Sequence, residues 1–96
     1  MSTSQTLLVV DDEPAIRLLL SEFFKKRCRV VAIDGGRKCL EWLNENALPC
    51  AMIVDLNMPD MGGIEVIKQI RAQSALDGLP IIVLSSKESS QDRIQC

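Results

Sequence analysis

The chain has 96 residues, 47% of them apolar and 25% charged, with a net charge of −2 and no histidine. This is the size of one small globular domain, and the charge gives no general reason to expect direct nucleic-acid binding. No apolar run approaches the ~18 residues of a membrane span, Met-Ser-Thr-Ser-Gln does not open a secretory signal, and one Trp and two Phe make a poor base-stacking platform.

Thr6-Leu7-Leu8-Val9-Val10 is a continuous apolar run that stops at Asp11-Asp12, as a strand buried on both faces would. Pro14 suits a first helical turn, with Asp12 or Glu13 placed to cap it. Ile16, Leu19, Leu20, Phe23 and Phe24 follow at helical spacing, and Lys25, Lys26 and Arg27 close the last turn, where cations suit the helix dipole. Arg29 to Ile33 is a second strand, Asp34-Gly35-Gly36 a turn, and Arg37 to about Asn46 a second helix carrying Leu40, Trp42 and Leu43. Ala51 to Val54 is a third strand ending at Asp55. The loop from Asn57 to Gly63 is punctuated by Pro59, Gly62 and Gly63. Ile64, Val66, Ile67 and Ile70 mark a third helix. Leu79-Pro80 leads into a fourth strand, Ile81 to Leu84, which ends at Ser85-Ser86, and a fourth helix could begin near Glu88. Strands alternating with helices predict βαβ units: an α/β, doubly wound parallel sheet in one domain.

The four cysteines, Cys28, Cys39, Cys50 and Cys96, have no C-x-x-C spacing, and with no histidine a zinc site is a poor fit. Cys39 and Cys50 lie in apolar stretches and read as small, reduced core residues of a cytoplasmic protein.

Three of the apolar strands end in polar residues: Asp11 and Asp12, then Asp55, then Ser85. In an open parallel sheet these tips share one edge, where ligands bind. Three neighbouring carboxylates repel one another, and a divalent cation relieves that repulsion. Mg²⁺ takes oxygen ligands and accepts phosphate oxygens, so the set suits phosphoryl transfer to a carboxylate. Taken singly, each residue has a blander explanation. Asp12 is more often a helix cap, Asp55 a turn residue before Asn57 and Pro59, and the Ser pair a helix start. Their convergence on one edge is harder to explain that way.

Leu8 to Pro14, Val54 to Gly63 and Leu79 to Ser86 resemble the acidic pair, phosphoacceptor loop and fourth strand of response-regulator receiver domains of two-component systems. The resemblance spans nearly the whole chain and implies a flavodoxin-like sheet of order 2-1-3-4. It implies that Asp55 accepts a phosphoryl group from a histidine kinase or phosphotransfer protein. It further implies that Asp11, Asp12, Asp55 and the backbone carbonyl of Asn57 hold Mg²⁺, and that Ser85 is the switch hydroxyl. Asn57, Ser86 and Lys87 would tune phosphoryl lifetime. Gly62 stands where many members have Asp. Two other readings are a degenerate or shortened receiver acting by protein–protein contact, and a metal-dependent phosphohydrolase. The latter commonly carries a second acid where this chain has Asn57.

The family continues through a fifth strand ending in a lysine and then a fifth helix, whereas this sequence stops at Cys96. That stop predicts an open, apolar fourth-strand edge. The expectation is a homodimer or partner chain covering it, and no stable isolated monomer.

Overall fold

The computed structural model describes residues 5–46, 48–58, 61–73, 76 and 78–84. Seven elements follow in chain order: β1 (Thr6–Val10), α1 (Pro14–Phe24), β2 (Arg29–Ile33), α2 (Gly36–Glu45), β3 (Ala51–Asp55), α3 (Gly63–Arg71) and β4 (Ile81–Leu84). All strand pairs are parallel, in the order β2-β1-β3-β4, as the alternating pattern predicts. The proposed fourth helix lies outside the described residues.

Strand alternation sends β1 and β3 side chains to two cores. Leu8, Val10, Met52 and Val54 meet Cys39 and Leu43 of α2 and Val66 and Ile70 of α3 on one face. Leu7, Val9 and Ile53 meet Leu20 and Phe24 of α1 on the other. This is why β1 reads as an uninterrupted apolar run: every residue of it is buried.

Helix α1 departs from its expected packing. It contains no buried residue, and Leu19 and Phe23 are 63% and 71% exposed. Helical spacing marks a face that can be apolar, but here only its Leu20 and Phe24 side reaches the sheet. The helix ends at Phe24, so Lys25, Lys26 and Arg27 follow it rather than closing its last turn. Glu13 holds the N-cap position without a side-chain capping bond. Of the two predicted core cysteines, Cys39 is buried and Cys50 is exposed. Cys50 precedes β3, where its backbone N–H donates to the Thr6 carbonyl at 2.8 Å and its side chain faces solvent.

Candidate functional site

The sheet register sets the site. Val10 pairs with Val54 and with Ile33, so β1 and β3 end side by side at the centre of the sheet. The ladder continues one step further, with the Asp11 N–H donating to the Ile33 carbonyl at 3.0 Å. Asp55 pairs with Leu84, and the Leu56 N–H donates to the Leu84 carbonyl at 3.2 Å. The tip of β4 therefore lies beside Asp55. Ser85, Ser86 and Lys87, which follow it, lie outside the described residues, as do Pro59 and Asp60.

Asp11, Asp12 and Asp55 each offer a carboxylate oxygen, and these oxygens all lie within 4.8 Å of one another. Asp11 and Asp55 are only 3% and 6% exposed, and Asp12 is half-buried. Short local bonds orient the two buried groups: the Glu13 N–H donates to Asp11 Oδ1 at 2.9 Å, and the Asn57 N–H to Asp55 Oδ1 at 3.2 Å. Arg17 of α1 reaches back to donate from Nη1 to the Asp11 carbonyl at 2.7 Å, fastening the helix to the acidic turn.

Burial raises the pKa of both Asp11 and Asp55 above the usual carboxylate value, and the backbone N–H donors offset part of the rise. Repulsion adds to it: Asp55, Asp12 and Glu13 act on Asp11, and Asp12 and Glu13 act on Asp55. Glu13 is thus an electrostatic member of the site that the motif pattern left out. Its place directly after the acidic pair was the available signal.

An all-oxygen donor set of crowded carboxylates at a sheet edge fits a hard divalent cation such as Mg²⁺. A cation there would reverse the sense of both pKa shifts, because it favours the charged carboxylates.

The loop after Asp55 is held by close backbone packing. The Gly63 N–H donates to the Leu56 carbonyl at 3.1 Å, and a Cβ on Gly63 would lie 2.9 Å from Leu56 Cα. Gly62 forms the N-cap of α3 with no side chain to cap it.

The family model for the response regulator receiver domain matches residues 7–96. The chain is a receiver domain. A two-component response regulator of Oryza sativa subsp. japonica is 32% identical to it over 91 residues, 94% of this chain and 68% of the relative. A response regulator receiver protein from Pseudomonas putida superposes with a TM-score of 0.80 at 30% identity, over 99% of this chain and 81% of that one. A response regulator protein from Thermotoga maritima, solved in complex with Mg(2+)-BeF, superposes with a TM-score of 0.75 at 32% identity, over 84% of this chain and 69% of that one. Receiver domains are signalling domains of two-component systems, and the phosphorylation switch is their standard function. These matches do not favour the alternative of a degenerate or shortened receiver acting by protein–protein contact.

Proposed function

We propose that this receiver accepts a phosphoryl group on Asp55 in a Mg²⁺-dependent reaction with a histidine kinase or a histidine-containing phosphotransfer protein. The observation that carries the reading is the position of Asp55: a buried carboxylate at the tip of a central strand, beside two further carboxylates.

In the transfer, an Asp55 carboxylate oxygen attacks the phosphorus of a phosphohistidine on the donor. A P–O bond forms as the P–N bond breaks, and the imidazole leaves with the electron pair and takes up a proton. Asp55 must be ionised to attack. The Asn57 N–H on Oδ1 favours that ionised form and fixes the carboxylate's rotation. Asp11, Asp12, Asp55 and the backbone carbonyl of Asn57 would hold Mg²⁺. When bound, the cation neutralises charge on the carboxylates and on the phosphoryl oxygens. Ser85 is the proposed switch hydroxyl; Ser86, Lys87 and the Asn57 side chain are proposed to tune the lifetime of the acyl phosphate.

The rest of the reading is cytoplasmic residence alongside the kinase, with no direct nucleic-acid contact by this segment. Among the described residues no helix is long and apolar enough to cross a membrane. Ile82 and Val83 are 54% and 44% exposed on opposite faces of β4, which supports a second copy or partner chain covering that strand.

Incubation with a small phosphodonor such as phosphoramidate tests the central step. A gain of one phosphoryl mass with Mg²⁺, abolished by chelation and by Asp55→Asn, is the expected result. Unchanged labelling of the Asn variant would overturn the assignment.

A further inference from the structure

Helix α2 begins with Gly36, a buried residue at a position where alanine would favour the helix. The reason for glycine is a close approach. A Cβ at Gly36 would lie 2.6 Å from Val66 Cγ2 and 2.8 Å from the Met61 carbonyl oxygen. Val66 belongs to α3, whereas Met61 belongs to the loop that leaves Asp55. The start of α2 therefore touches two bodies at once, the next helix and the backbone of the phosphoacceptor loop.

These bodies differ in how they can yield. Val66 is fully buried and β-branched, so its rotamer is fixed by the core. Met61 lies in a short connection between Asp55 and Gly63. At its far end, Gly63 packs against the Asp55 and Leu56 backbone, where a Cβ would come within 2.5 Å of the Asp55 carbonyl oxygen. At its near end, the Asn57 N–H sets the rotation of the Asp55 carboxylate. A push on Met61 passes through Gly62 to Gly63, whose N–H bonds the Leu56 carbonyl and whose backbone lies against the Asp55 carbonyl.

We propose that Gly36 is a positioning residue for the phosphoacceptor, holding Met61, and through Gly62 and Gly63 the backbone of Asp55 and Leu56, by a contact that only a glycine permits. The inference rests on the reading of Asp55 as phosphoacceptor. It makes the β2–α2 junction part of what sets the phosphorylation rate.

The two contacts can be separated by mutation. Gly36→Ala introduces both clashes. Val66→Ala removes the α3 partner, so Gly36→Ala/Val66→Ala restores room in the core but leaves the new methyl against the Met61 carbonyl. Labelling by phosphoramidate with Mg²⁺ is measured for the unaltered protein, Val66→Ala and the double variant, alongside the melting temperature and the apparent Mg²⁺ affinity of each. The expected result is that Val66→Ala labels at close to the unaltered rate, while the double variant melts near Val66→Ala but labels about tenfold more slowly, the scale of loss that misplaced reacting groups produce. The Mg²⁺ affinity of the double variant should fall as well, because the Asp55 carboxylate shifts with its backbone. Equal labelling rates for Val66→Ala and the double variant would overturn the positioning role while leaving Asp55 as phosphoacceptor. Failure of the unaltered protein to label would overturn the phosphoacceptor reading and this inference with it.

Discussion

A Cβ at Gly63 would lie 2.5 Å from the carbonyl oxygen of Asp55. The first residue of α3 is thus in direct contact with the backbone of the phosphoacceptor. Neither side can yield cheaply, since β3 is locked in the sheet between β1 and β4. Gly63→Ala should therefore destabilise the fold by about 1–3 kcal/mol, as overpacking typically does. Denaturant titration of both proteins checks this; an unchanged midpoint would show that the loop accommodates the methyl group.

The acidic site should be a source of instability without its cation. Asp11 and Asp55 have folded-state pKa values above the ordinary 3.8. The folded chain then binds more protons than the unfolded chain between 3.8 and the raised values, so stability falls as pH rises through that window. The penalty therefore grows as the pH rises through that window. Asp55→Asn should raise metal-free stability at pH 7 by roughly 0.5–2 kcal/mol, the usual scale for relieving an unfavourable local charge. Mg²⁺ should stabilise the unaltered protein more than the variant. Denaturation at pH 7 and near pH 4 measures both effects, and the advantage of Asp55→Asn should shrink at the lower pH.

The cysteines should differ widely in reactivity. Burial pushes the Cys39 thiol up to about 12, so at pH 8 only about 10⁻⁴ of it is the reactive thiolate. Cys50 is exposed. Alkylation followed by peptide mapping should modify Cys50 rapidly and Cys39 only as the chain opens. Equal rates at the two positions would contradict the packing described here.

The two faces of the apolar inventory should also separate. Ile70 is fully buried, and Ile70→Ala should cost about 2–5 kcal/mol. Leu19 is 63% exposed, and Leu19→Ala should change the stability of this chain by no more than about 0.5 kcal/mol. Chemical denaturation of the pair decides it.

These contrasts show where the sequence was legible. The strands were, because β1 and β3 are buried on both faces and so appear as unbroken apolar runs closed by aspartate. Parallel pairing then brings those aspartates together without further information. The orientation of α1 was not legible, because helical spacing does not say which side of a broad apolar face meets the sheet. The exposure of Cys50 depends on where β3 begins, and an apolar neighbourhood does not fix that boundary. The role of Gly36 could not be read from its surroundings in the chain, since its reason lies in residues 25 and 30 positions away.

Locating the modified residue is the most direct test of the central claim. An aspartyl phosphate is an activated acyl group, and borohydride reduces it to the alcohol, leaving homoserine in place of aspartate. The protein is treated with phosphoramidate and Mg²⁺, reduced, digested and sequenced by mass spectrometry. The account predicts homoserine at position 55, with Asp11 and Asp12 intact. Homoserine at Asp11 or Asp12, or phosphoryl label with no reduced aspartate at all, would contradict it.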